Sequence, residues 1–96
     1  MPAFFVSRVN VRDKDKMDEY ARRAGATLKA HGGEPVQRGA FSHALLGDDS
    51  PHGTGIVCFA DMAALKAWFA SADYQALAPL RDAACEMTLL AYEAPA

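Results

Sequence analysis

The run Ile56-Val57-Cys58-Phe59 leaves neither side of a strand polar. Successive side chains on a strand point to opposite faces, so a strand wetted on one side alternates and this one does not. It must be covered on both sides, and we read it as a strand over Gly55–Ala60. Helices packed on the sheet supply one cover only. A chain of 96 residues buries a modest share of its surface by itself, and 51% of these residues are hydrophobic, at the upper edge for a soluble domain. A second copy of the same chain is the usual source of the missing cover.

The rest of the chain builds a frame around that strand. Phe4 to Val11 alternates, with Phe5, Val9 and Val11 on one side and Phe4, Val6, Arg8 and Asn10 on the other, which reads as a first strand. Asp13 or Asp15 can cap a helix whose apolar stripe is Met17, Tyr20, Ala21, Ala24, Leu28 and His31. Gly32-Gly33 ends it. A second strand is expected from Val36 to Leu46, with Gly39 a candidate bulge, followed by the loop Gly47–Gly53. Asp61 caps a helix that buries Met62, Leu65, Trp68, Phe69 and Ala72. Ser71 caps a further turn, and Pro79 forces a kink or restart. Met87–Tyr92 is the last strand and Glu93–Ala96 a frayed tail. The order, strand-helix-strand-strand-helix-strand, is the α+β, ferredoxin-like split βαβ arrangement: one domain over residues 1–96, an antiparallel sheet with both helices on one face.

Composition removes several functions. The net charge is −2 with acids and bases interspersed, so the basic stripe that nucleic acid requires is missing and no nucleic-acid partner is expected. No apolar run approaches the roughly 20 residues of a membrane helix, and the start lacks the basic leader and apolar core of a secretory signal. Cys58 and Cys85 stand far from any CxxC spacing, and we expect reduced thiols in the cytoplasm. The histidines, His31, His43 and His52, have no ligand spacing, so no metal and no cofactor are expected.

The segment Trp68-Phe69-Ala70-Ser71-Ala72-Asp73-Tyr74-Gln75-Ala76-Leu77-Ala78-Pro79-Leu80-Arg81, with Tyr20, His31-Gly32-Gly33, Arg38-Gly39 and Leu46-Gly47, resembles the family called domain of unknown function 1330, small proteins of the dimeric α/β barrel superfamily. The likeness runs over nearly the whole chain. It implies a homodimer formed through the sheet faces. The chain departs from the family pattern at Ala40, where a second glycine is common, at Leu46, where a glutamate is usual, and at Thr54-Gly55, where a basic residue is common.

The candidate site residues are few. Arg38, on a strand with apolar and small neighbours, can hold a carboxylate in bidentate fashion if it faces the helices, or pair with a nearby acid. Arg81 offers the same two readings. His31 and His43 are the candidate proton movers. His31 lies on the helix stripe, His43 alternates with Phe41 and Leu45, and His52 reads as a solvated loop residue. Trp68 and Tyr74 are the candidate walls of a pocket. Two rival readings hang on single positions. Pro2, exposed as an amine if Met1 is removed, would be the base of a tautomerase. Asn10 with Trp68 would stand for two of the three residues that haem degraders of the barrel superfamily use. The preferred expectation is a pocket protein for a small molecule, a cofactor-independent enzyme of isomerase or monooxygenase type acting on a carboxylate-bearing metabolite. The alternative is a non-enzymatic homodimeric module whose pocket is filled by side chains.

Overall fold

A computed structural model describes residues 1–95. It contains β1 (Ala3–Val11), α1 (Lys14–Ala30), β2 (Glu34–Ala40), β3 (Gly53–Phe59), α2 (Met62–Ala70), α3 (Ala72–Gln75), α4 (Ala78–Ala84) and β4 (Cys85–Glu93). The four strands form one antiparallel sheet in the order β2-β3-β1-β4. This is the ferredoxin-like fold expected from the order of elements.

Local chemistry sets the ends of the elements. Asp13, rather than Asp15, caps α1, its carboxylate accepting from the Lys16 amide at 3.1 Å. Gly32 adopts φ +77 after the helix, a conformation glycine reaches without a Cβ penalty, and the Gly33 amide returns to the Leu28 carbonyl at 2.8 Å. Asp61 accepts from the Ala64 amide at 2.8 Å to start α2. Ser71 closes α2 and opens α3 with one hydroxyl, donating to the Trp68 carbonyl at 2.6 Å and accepting from the Tyr74 amide at 3.3 Å. Pro79 sits in the first turn of α4, where its missing N–H costs nothing.

The second strand is shorter than its pattern suggested, ending at Ala40 instead of Leu46. β2 is an edge strand whose only partner, β3, begins at Gly53, opposite Ala40. Residues 41–46 therefore have no ladder to join, and after Phe41 donates to the His52 carbonyl at 3.0 Å the chain leaves the sheet. The irregularity in register lies between Pro35 and Gln37 rather than at Gly39. Proline has no amide hydrogen for the ladder, so the strand accommodates an extra residue there. At the other end, the Ala94 amide bonds to the Pro2 carbonyl at 2.8 Å, so pairing continues past Glu93. The expected frayed tail is tied down at Ala94, and Ala96 lies outside the described residues.

Register divides the sheet into two faces. Ala3, Phe5, Ser7 and Val9 of β1 sit beside Phe59, Val57, Gly55 and Gly53 of β3 on the helix side. There Phe5 stacks on Trp68 with centroids 5.1 Å apart, and Trp68 meets Tyr74 at 4.2 Å. On the far side Val6 lies between Ile56 and Leu90, and Phe4 between Cys58 and Tyr92. Among the described residues no helix covers that side; Leu90 and Tyr92 are 40% and 46% exposed.

Close packing behind the helix gives one prediction. A Cβ on Gly33 would stand 2.9 Å from Phe59 Cζ and 3.0 Å from Leu28 Cδ2, and both of those residues are buried. Gly33→Ala is expected to lose about 1–3 kcal/mol in chemical denaturation, the usual cost of overpacking. An unchanged midpoint would mean that this contact relaxes freely.

Candidate functional site

Small residues on two facing elements open a cavity of about 380 Å³ between α1 and the β2–β3 side of the sheet. On α1 the small lining residues are Ala21, Ala24 and Gly25, and a Cβ at Gly25 would meet nothing within 4 Å. On the floor, Gly55 lies beside Ser7, whose Oγ would stand 3.1 Å from a Cβ at that position. Phe5, Leu28, Val57 and Trp68 make the apolar walls. This volume and character suit a small organic ligand.

Arg38 stands at this cavity. Paired with Gly55, it belongs to the helix-facing side of β2, and it lines both the first cavity and a second, of about 490 Å³, that continues past it. Arg38 is exposed, and its guanidinium makes no ion pair and no hydrogen bond among the described residues; Arg22 is likewise without an acidic partner there, whereas Arg8, Arg12, Arg23 and Arg81 have one. The space beside Arg38 is open rather than filled. An unpartnered guanidinium beside an apolar hollow is suited to a carboxylate, which it can hold through two parallel hydrogen bonds.

The other expected residues divide into two groups. Trp68 lines the cavity, 2% exposed, with its indole N–H fixed on Thr27 Oγ1 at 3.0 Å. Tyr74 is fully buried behind the wall. Its hydroxyl lies 2.8 Å from that of Tyr20 and 3.2 Å from Arg81 Nη1, and the Arg81 guanidinium also sits 5.8 Å from the centre of its ring. Tyr74 and Arg81 do not line the cavity; Tyr74 backs two residues that do, Trp68 through ring contact and Tyr20 through the hydrogen bond. Burial holds the Tyr20 hydroxyl well above the ordinary tyrosine range.

The two histidines expected to move protons lie elsewhere. His31 caps α1 instead of continuing its stripe, and its ring faces Asp73 at 3.3 Å. His43 is an exposed loop residue bonded to Ser42 at 2.9 Å. The strand that would have aligned it with Phe41 and Leu45 ends before it, so the expected common inward face does not form. Neither residue lines either cavity.

His52, read from the sequence as a solvated loop residue, is exposed, but its ring is held in place. The Asn10 carboxamide oxygen accepts from its backbone amide at 3.0 Å, and its Nδ1 accepts from the Val11 amide at 2.9 Å. An Nδ1 that accepts carries no hydrogen, so the neutral ring bears its proton on Nε2. His52 lines the second cavity with Arg38 and Ser7. In this tautomer it is a hydrogen-bond donor, suited to an oxygen on which negative charge develops. Among the described residues no three His, Cys, Asp or Glu side chains converge on a metal position, and no helix is long and apolar enough to cross a membrane.

Residues 2–95 match the model of the family described as "Domain of unknown function (DUF1330)". No curated protein matches the chain. Among solved structures, a protein of unknown function from Rhodopseudomonas palustris superposes with a TM-score of 0.84 at 20% identity, over 99% of this chain and 83% of that one. SnoaB, a cofactor-independent oxygenase from Streptomyces nogalater, does so with a TM-score of 0.72 at 17% identity, over 99% and 94%. A dimeric ferredoxin-like protein of unknown function from Jannaschia has a TM-score of 0.64 at 16% identity, over 98% and 100%. At these identities the structures share the fold.

Proposed function

The chain belongs to the family of domains of unknown function designated DUF1330, and from that premise we propose a pocket protein that acts as a cofactor-independent enzyme on a small carboxylate-bearing metabolite. One observation carries this reading: Arg38 lines an apolar cavity and has no acidic partner among the described residues. Arg38 anchors the anion, and Trp68 with Phe5 and Val57 packs its apolar body. His52 Nε2 donates to an oxygen at the far end of the cleft. The reaction class is isomerase or monooxygenase, the latter in keeping with the oxygenase that shares the fold. The compartment proposed is the cytoplasm, which keeps thiols such as Cys58 and Cys85 reduced.

The proposed assembly is a homodimer through the far face of the sheet, as its apolar rows Ile56-Val6-Leu90 and Cys58-Phe4-Tyr92 suggest. A dimeric neighbour of the same fold supports it.

The binding claim is tested by titrating hydrocinnamate and its uncharged amide into the wild-type protein, Arg38→Ala and Gly25→Leu. A charge-assisted hydrogen bond contributes about 1.5–3 kcal/mol. Arg38→Ala is therefore expected to weaken acid binding by roughly 10- to 100-fold while leaving the amide and the melting temperature unchanged. Gly25→Leu fills the cavity and is expected to abolish both. Equal acid affinity in wild type and Arg38→Ala would remove Arg38 from the site.

A further inference from the structure

The polar network behind the cavity has a direction. A guanidinium only donates hydrogen bonds, so Tyr74 Oη accepts from Arg81 Nη1. Either tyrosine could donate across the 2.8 Å between the two hydroxyls. Tyr74 is 0% exposed, and its hydroxyl has no third partner among the described residues. Were Tyr20 the donor, the Tyr74 hydrogen would be buried with nothing to accept it, which native structures avoid. Tyr74 therefore donates to Tyr20. That leaves the Tyr20 hydrogen for Met87 Sδ at 3.8 Å, and a thioether is a weak acceptor.

Tyr20 and Met87 both line the cavity. A hydroxyl that already accepts a hydrogen bond donates more strongly, since members of such a chain polarise one another. Here the chain begins on a permanent positive charge at Arg81. A ligand oxygen at this wall would offer a better acceptor than the sulfur it replaces.

We infer that Tyr20 is a binding residue that donates its hydroxyl hydrogen to a carbonyl oxygen of the ligand, with Tyr74 and Arg81 as the positioning residues that set the direction of the chain. The inference rests on the carboxylate reading of Arg38 and narrows it: the ligand class becomes a carboxylate that also carries a carbonyl group on its apolar body.

Two matched pairs of acids test it, phenylpyruvate against hydrocinnamate and benzoylpropionate against phenylbutyrate. Each pair differs by one ketone oxygen placed at a different distance from the carboxylate. At least one keto acid is expected to bind wild type on the order of tenfold more tightly than its parent. Tyr20→Phe is expected to erase that preference and leave the parent acids unaffected. Parents that bind with no keto preference, or a preference that survives Tyr20→Phe, overturn the role of Tyr20 and leave the cavity reading standing. Binding of none of the four acids overturns both. If Tyr20→Phe does not fold, the infrared carbonyl stretch of whichever keto acid binds wild type more tightly decides. A lower frequency in wild type than in Tyr74→Phe is expected, since loss of Tyr74 weakens the donor, and identical frequencies overturn the inference.

Discussion

Trp68→Ala is expected to destabilise the protein by about 3–5 kcal/mol, the usual cost of removing a large aromatic side chain from a core. Trp68 is 2% exposed and touches four rings. Phe5 and Phe59 lie below it at 5.1 and 5.9 Å, and Phe69 and Tyr74 flank it at 6.2 and 4.2 Å. Its removal would join the cavity at α1 to a neighbouring hollow that Trp68 also lines, beside Leu65 and Leu89, so the gap cannot close by a small shift. The indole N–H would also leave Thr27 Oγ1 without its donor. A domain of this size has about 5–15 kcal/mol in total, and each kcal/mol moves its melting point by roughly 4–8 °C. The melting temperature should fall by about 15–30 °C at fixed protein concentration, with Trp68→Phe much milder. A fall of under about 5 °C would show that the sheet and α1 hold together without this contact, and that the cluster is not the centre of the fold.

Much of this core was legible because it obeys periodicity. Phe5 and Val9 fall on one side of an alternating strand, and Tyr20, Ala24 and Leu28 on one stripe of a helix. Each pattern demands a buried face whatever the tertiary partners are. Caps were equally readable, since Asp61 and Ser71 act on amides within three residues of themselves. The error at β2 has the opposite cause. Whether Phe41–Leu46 continues a strand depends on what lies beside it, and its neighbour β3 starts too late in the sheet to pair with it. Strand length at an edge is a property of the partner.

The same distinction governs the site. Arg38 stood out as a charge among apolar and small residues, and register puts it on the helix side. The hollow beside it owes its room in part to the side chain missing at Gly25, and a sequence records no such vacancy until the helix faces the sheet. His52 read as a solvated loop residue and is exposed, but the Val11 amide that fixes its tautomer and the Asn10 oxygen that holds its backbone lie more than forty positions away in sequence. Tyr20 read as core, correctly by burial, yet its hydroxyl gains a direction only from Tyr74 and Arg81.

A single charge on the far face of the sheet is expected to break the proposed homodimer into monomers. Leu90 is opposite Val6, which is opposite Ile56, so these three form an apolar row across the middle of the uncovered side. In a two-fold dimer each such position occurs twice, and Leu90→Lys would place two ammonium groups in one apolar interface. An unpaired buried charge costs about 3–5 kcal/mol, enough to weaken dimerisation by roughly 100- to 1,000-fold or more. The protomer should tolerate the change, because Leu90 is 40% exposed on it and the lysine head can reach water. Sedimentation velocity across a concentration series would read this directly. Wild type should run with the mass of two chains, Leu90→Lys with that of one, and Ala26→Lys, on the exposed side of α1, like wild type. A dimer that survives Leu90→Lys with unchanged affinity would mean that the copies meet elsewhere, and the apolar run in β3 would then lack its second cover.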